Sequence, residues 1–253
     1  MTFDYPTPRQ LPILRQLWKT VFGDSDAFLD DFFSTAFSPL RCRCAMENGE
    51  TVGMLYWFDL LHRDRKMAYL YAVATHPDHR GKGICRKLMA DTHALLAGQG
   101  YAGALLVPQE AGLQQMYAGF GYQEATTVSE TFCAAGDSPV SLHRIQAEEY
   151  AKLRREYLPQ GALLQEGESL RFLETQAFFF RGSDFLLAAR TVEEDSLFGY
   201  ELLGSAAAAP GILKALGCAQ GTFRTPGTKI PFAMFLPLEA DAKPPSYFGF
   251  AFD

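Results

Sequence analysis

No uninterrupted apolar run in this sequence approaches the ~20 residues of a membrane-spanning helix, so no membrane partner is expected. The first ten residues, MTFDYPTPRQ, hold neither the basic leader nor the apolar core of a secretion signal. Basic residues are the minority, 23 against 29 acidic, for a formal net charge of −6. A chain that neutralises many phosphates needs a basic surface, so no nucleic acid is expected as the main partner. Cysteine is scarce. Its count of five is odd, and Cys42 and Cys44 have no second pair like them, so a zinc site is not expected and no metal is assigned. All five read as reduced thiols, which with the missing leader points to the cytoplasm.

What the sequence does hold is apolar and aromatic. Hydrophobic residues make up 48%, too many for a disordered chain, and the 253 residues allow one large domain or two small ones. The 21 phenylalanines crowd the second half, as at Phe178, Phe179 and Phe180, which suggests strands over a filled core. Against the acidic background one cluster is basic: His76, His79, Arg80, Lys82, Arg86 and Lys87. That patch suits a small anionic ligand better than a polymer.

Periodicity orders the elements. Helical spacing covers 7–21 and 24–37, the second capped by Asp24 or Ser25. Alternation then predicts strands over 41–46, 51–61 and 66–75, the first two joined by the hairpin signal Asn48-Gly49. A helix follows from Ile84 to the glycines at 98 and 100, then a buried strand over 102–107 parallel to the third, a short helix over 112–119, and an extended run over 122–133. Residues 134–139 are a linker candidate. Beyond it come helices at 146–157 and 168–176, strands at 184–190 and 197–203, a helix at 210–216, and strands at 222–224, 230–237 and 247–252. The order is mixed α/β and the second half loosely repeats the first, so a duplication is a hypothesis.

The segment Val73-Ala74-Thr75-His76-Pro77-Asp78-His79-Arg80-Gly81-Lys82-Gly83-Ile84-Cys85 runs from a strand through a polar turn into a helix. The first turn of a helix leaves backbone N–H groups unpaired at the positive end of its dipole. Gly81 and Gly83 let an anion approach the backbone, and Arg80 and Lys82 add charge, so the segment reads as a pyrophosphate site. A P-loop would end in Gly-Lys-Ser/Thr, but Lys82 is followed by Gly83. A dinucleotide fingerprint would carry a third glycine after the first strand of a parallel sheet, and this segment does not.

Arg80-Gly81-Lys82-Gly83-Ile84-Cys85 resembles the R/Q-x-x-G-x-G/A signature of the GNAT superfamily of N-acetyltransferases, with Cys85 where that signature ends in Gly or Ala. Met116-Tyr117-Ala118-Gly119-Phe120-Gly121-Tyr122 resembles that family's Y-x-x-x-G-F element, with Phe120-Gly121-Tyr122 replacing the usual order. The resemblance implies a GNAT acetyl-CoA-binding catalytic domain over 1–135. It also implies a second, smaller α/β domain over 140–253, resembling a degenerate GNAT repeat without a cofactor motif. It further implies that backbone groups of Val73, Ala74 and Thr75 hold the pantetheine arm and that an amide near Val73 polarises the thioester carbonyl. Amides of Arg80, Gly81, Lys82, Gly83, Ile84 and Cys85 would hold the pyrophosphate, and Tyr117 would protonate the leaving thiolate.

The implied function is transfer of an acyl group, usually acetyl, from coenzyme A to a primary amine of a small molecule, peptide or protein. The alternative is a non-catalytic acyl-CoA-binding regulatory module. The second half also resembles the carboxy-terminal parts of two-domain acetyltransferases of the enhanced-intracellular-survival group, in which the terminal carboxylate can reach the active site; Asp253 is then a candidate base. Asp59 and His62 are further base candidates. Tyr69 and Tyr71 share a strand face with Val73 by alternation and either line an acceptor site or pack on a helix. His93 reads as a surface or packing residue. The acceptor stays open, and so does a homo-oligomer.

Overall fold

The computed structural model describes residues 1–252; Asp253 lies outside them. The chain opens on a strand that periodicity did not reveal, β1 (Thr2–Asp4), antiparallel to a later one. A single 3-10 turn at Pro8–Gln10 leads into α1 (Leu11–Phe22), so this helix begins four residues later than its apolar spacing predicts. Leu14, Leu17 and Trp18 form its buried stripe. In α2 (Asp26–Thr35) the Ser25 hydroxyl caps the first turn, accepting from the Phe28 amide at 3.2 Å. β2 (Cys42–Glu47) and β3 (Glu50–His62) form the expected hairpin. Asn48 and Gly49 both have positive φ, 52° and 87°, as a two-residue turn of this hand requires. β4 (Arg65–Thr75), α3 (Ile84–Gly98) and β5 (Gly103–Leu106) make a crossover unit, with β4 and β5 parallel. α4 (Ala111–Ala118) and the two-residue β6 (Gln123–Glu124) follow.

The second half comprises β7 (Thr127–Ala134), β8 (His143–Ile145), α5 (Ala147–Tyr157), α6 (Glu168–Gln176), β9 (Phe178–Arg181), β10 (Phe185–Glu193), β11 (Ser196–Gly204), α7 (Ala209–Leu216), β12 (Gln220–Pro226), β13 (Ile230–Pro231) and β14 (Met234–Pro237). From β8 to β12 its element order matches that from β1 to β5: strand, two helices, three strands, helix, strand. β11 and β12 are parallel, as β4 and β5 are. The duplication is therefore present in the fold, without a residue-level repeat.

Each half builds a seven-stranded mixed sheet flanked by helices. The first runs β1-β2-β3-β4-β5-β14-β6 and the second β8-β9-β10-β11-β12-β7-β13. Position for position, β14 and β7 have traded places: the strand beside β5 comes from near the end of the chain, and the strand beside β12 precedes β8 in the chain. The two compact units accordingly interleave in sequence. One comprises Met1–Leu106, Glu110–Gln123 and Phe235–Lys243; the other comprises Val107–Gln109, Glu124–Met234 and Pro244–Asp253. A single cut near residue 135 does not follow that division. The expected strands at 122–133 and 230–237 each split between the two sheets.

The second unit has a polar centre. Arg154 donates from Nε to Oε2 of Glu201 at 2.7 Å and from Nη2 to Oε1 at 2.9 Å, and Tyr150 donates to Oε2 at 2.9 Å. Arg154 and Glu201 are 2% and 0% exposed, so the ion pair is wholly desolvated. Residues 247–252, expected as a strand, are not one. The segment is irregular, because it is tied to a loop rather than to a sheet: the Ser246 amide donates to Gly161, Leu163 donates to the Tyr247 carbonyl, and the Gln165 side chain brackets Phe250 by accepting from its amide and donating to its carbonyl.

Candidate functional site

β4 is the element on which the first unit's site depends. Its parallel ladder with β5 covers Met67, Ala68 and Tyr69 and stops there, so the β5-facing edge from Tyr71 to Thr75 carries no ladder. On the other side the register with β3 breaks: Tyr71 faces Tyr56 and Ala74 faces Met54, leaving Ala72 and Val73 opposite Leu55. This is a bulge, and it holds Ala72 at φ 49°, a left-handed conformation that costs a non-glycine residue about 1–3 kcal/mol. The bulge also shifts the alternation. Directly opposed residues share a face, so Ala74, and not Val73, lies on the face of Tyr69 and Tyr71. Those two rings pack inward. Tyr71 meets Trp18 of α1 edge-on at 5.5 Å, and Tyr69 stacks on Phe58 at 5.9 Å.

Thr75 ends the strand with its Oγ1 buried and without a hydrogen-bond partner among the described residues. The turn beyond is fixed by its own side chains. His76 Nδ1 accepts from the Asp78 amide at 3.3 Å, His79 Nδ1 lies 3.1 Å from Glu47, and Arg80 Nε donates to the Thr75 carbonyl at 3.3 Å. Gly81 and Gly83 have φ of 76° and 72°, and a Cβ at either would meet no protein atom within 4 Å. The glycines are thus required by backbone conformation, and they open onto clear space. Gly83 precedes α3 with no side-chain cap, so the first-turn amides of Ile84, Cys85 and Arg86 have no helical acceptor. Lys82 is exposed, whereas the Ile84 side chain is 1% exposed and belongs to the core, leaving only its amide for a ligand.

Tyr117, in the last turn of α4, is 6% exposed. Burial, and secondarily the nearby Cys85 thiol, hold its hydroxyl far above the ordinary tyrosine range, so it stays protonated throughout the working range of an enzyme. The contact of Arg86 with Gly119 brings the end of α4 to the first turn of α3. Burial pushes the Cys85 thiol up to about 11, and it is no nucleophile. Arg86 leaves the basic cluster: it donates to the Gly119 carbonyl at 3.0 Å and lies 4.5 Å over the Phe120 ring. His93 is not simply a packing residue, since its Nε2 lies 2.8 Å from the Tyr122 hydroxyl. Neither contact has a sequence signal, because each joins residues about thirty apart through the turn that ends α4.

The other base candidates sit elsewhere. Asp59 faces Ala68 and His62 faces Arg65, five and eight residues along β4 from Val73. At about 3.3 Å per residue that is about 16 and 26 Å of strand. Asp59 is also engaged, accepting from the Tyr101 hydroxyl and paired with Arg41 at 3.6 Å. Among the described residues no group of three His, Cys, Asp or Glu is arranged to hold a metal ion, and no helix is long and apolar enough to cross a membrane. At the equivalent point of the second unit, between β11 and α7, Ser205 to Ala209 carry no cation, and Pro210 lacks an amide hydrogen in the first turn of α7.

A strand edge without a ladder past Tyr69, a bulge beside it and a helix N-terminus behind two left-handed glycines lie together in one segment. A family model described as an acetyltransferase (GNAT) domain matches residues 3–125. That match to a GNAT acetyltransferase domain spans just under half of the chain. N-acetyltransferase Eis of Mycobacterium tuberculosis is 37% identical over 86 residues, which is 32% of this chain and 21% of that protein, so the match spans about a fifth of that relative's length. In fold, the chain resembles the crystal structure of Eis1 from Mycobacterium abscessus, with a TM-score of 0.71 at 14% identity over 95% of this chain and 75% of that one. It also resembles a tandem GNAT protein from the clavulanic acid biosynthesis pathway, with a TM-score of 0.59 at 12% identity over 95% and 99%. The unladdered strand edge and the glycine turn lie inside the residues which that model matches, and the two sheets have the fold of tandem GNAT proteins.

Proposed function

We propose that this protein transfers an acetyl group from acetyl-CoA to a primary amine, with all of the chemistry in the first unit. The observation that carries the reading is the unladdered β4 edge leading directly into the glycine turn and the uncapped start of α3. An extended pantetheine arm fits beside Val73, Ala74 and Thr75, where the buried Thr75 hydroxyl lacks a partner. A pyrophosphate fits the amides from Arg80 to Cys85, with Arg80 and Lys82 adding charge. A sulfhydryl at Cys85 is small enough to leave that approach open.

Acetyl-CoA supplies the acyl group and a thiolate leaving group. The Val73 amide, displaced by the bulge, donates to the thioester oxygen as charge builds there. The Tyr117 hydroxyl delivers its proton to the departing sulfur, the proton shed by the attacking amine passes through water to the phenolate left behind, and the raised affinity of that oxygen for its proton keeps the acid form populated. The rest of the rate comes from holding the neutral amine in line. The acceptor is an amine on a small molecule, peptide or protein, and the chain's net charge of −6 favours a cationic one. The second unit, lacking a cation and a full set of amides at its matching turn, binds no acyl-CoA in this account.

A panel of amines tested for CoA release from acetyl-CoA decides the reading. Release with at least one amine, and formation of the N-acetyl product, is expected. Tight binding of acetyl-CoA with no turnover on any amine would instead identify a sensor module.

A further inference from the structure

The turn after α4 is fastened to α3 at two points, both just past Tyr117 in the chain. Arg86, one residue past Cys85, holds the Gly119 carbonyl at 3.0 Å and covers Phe120. Two helical turns further on, His93 meets the Tyr122 hydroxyl at 2.8 Å. Tyr122 is 2% exposed, its amide donates to the Tyr117 carbonyl at 3.1 Å, and its ring stands edge-on to the Tyr117 ring with centroids 6.1 Å apart. Burial holds His93 neutral, with its pKa lowered to about 4. In the Nδ1-protonated tautomer of that neutral ring, the hydroxyl of Tyr122 donates to Nε2.

We propose that the His93–Tyr122 hydrogen bond is a positioning device that sets the Tyr117 hydroxyl at the cofactor sulfur. The proposal rests on Tyr117 acting as the acid. One helix, α3, presents its first-turn amides to the pyrophosphate and through His93 fixes the ring against which Tyr117 leans. Cofactor and acid are thereby referred to the same rigid element. Displacement of a reacting group by ~1 Å costs up to ~100-fold in rate, which is reason for a buried polar contact where an apolar one would pack as well. His93 touches no reacting atom in this account; it acts through Tyr122.

The test is CoA release from acetyl-CoA with the fastest amine of the panel, and in water alone. His93→Leu, His93→Gln and Tyr122→Phe are each made with Tyr117 present and with Tyr117→Phe, and thermal melting reports folding. His93→Leu and Tyr122→Phe are expected to lower kcat about tenfold with KM for acetyl-CoA held within about twofold. His93→Gln, which keeps a polar partner for Tyr122, should recover most of that loss. With Tyr117→Phe already in place, neither change should lower kcat further, because the group being positioned is gone. Equal losses in both backgrounds, or no loss where Tyr117→Phe alone does slow the enzyme, overturn the proposal. Unchanged kcat in Tyr117→Phe itself overturns the general-acid reading and this device with it, and shows it without touching His93. If His93→Leu does not fold, Tyr122→Phe, which removes one hydroxyl, carries the comparison.

Discussion

Arg154 and Glu201 form a two-pronged ion pair, at 2.7 and 2.9 Å, in the interior of the second unit, where neither side chain reaches water. Tyr150 donates to the same carboxylate, and Tyr247, from the C-terminal segment, sits against Glu201. Burial, and after it Glu201, pushes both phenols well above their usual range, so they remain neutral hydrogen-bonding groups.

Breaking this pair should be costly. Glu201→Gln or Arg154→Met leaves the surviving group uncompensated, and about 3–5 kcal/mol of stability should be lost in urea unfolding. Replacing both residues together by apolar ones of similar volume should cost less than either single change. Two single-mutant losses that simply add in the double mutant would show that the residues do not act as a pair.

Tyr117→Phe should leave acetyl-CoA affinity within about twofold while lowering kcat by about 100-fold, the lower bound of what a positioned acid contributes. Burial raises the hydroxyl's pKa, so no loss of rate on this residue's account is expected as pH rises to about 10. Equal KM and kcat in variant and wild type would remove Tyr117 from the chemistry.

His93 gives a pH signature in stability. Its folded-state pKa is lowered from 6.5 to about 4 by burial, so the folded protein disfavours the charged ring. The stabilisation is present above pH 6.5 and fades as pH falls toward about 4, where the folded form also takes up the proton. Melting temperatures of wild type and His93→Gln should therefore converge across that window. Curves that stay parallel would mean the ring titrates alike folded and unfolded.

Cys85→Gly restores the usual last residue of the phosphate signature. Acetyl-CoA affinity should be unchanged or slightly better in calorimetry, since the thiol contributes no charge to the site. A marked loss would show that the thiol itself contacts the ligand.

Much of this was legible in the sequence, and the exceptions have physical causes. The first hairpin, the α3 start at Ile84 and the parallel pairing of the strand after it follow from local signals: Asn-Gly, glycine before an apolar helical stripe, and a short apolar run. The strand exchange was not legible, because β6 and β13 are two residues long and β7 and β14 choose their sheets by tertiary packing rather than by pattern. The bulge at Ala72 escaped because nothing in an alternating Tyr-Ala-Val-Ala-Thr run signals an extra residue, and it moved Val73 off the tyrosine face. The tail over 247–252 misled by its aromatic content, which serves core packing around Gln165 rather than a ladder. The glycine turn before α3 was readable because its glycines answer a local backbone demand. The contacts of Arg86 and His93 were not, since they depend on where α4 ends in space.

The most direct measurement is a calorimetric titration of acetyl-CoA into the whole chain and into Gly83→Val. A Cβ-bearing residue at φ 72° is strained by about 1–2 kcal/mol, and its side chain projects into the clear space where the pyrophosphate is proposed to sit. One acetyl-CoA per chain is expected, with an affinity at least about tenfold weaker in the variant. Two equivalents per chain, no binding at all, or an affinity indifferent to Gly83→Val would contradict it.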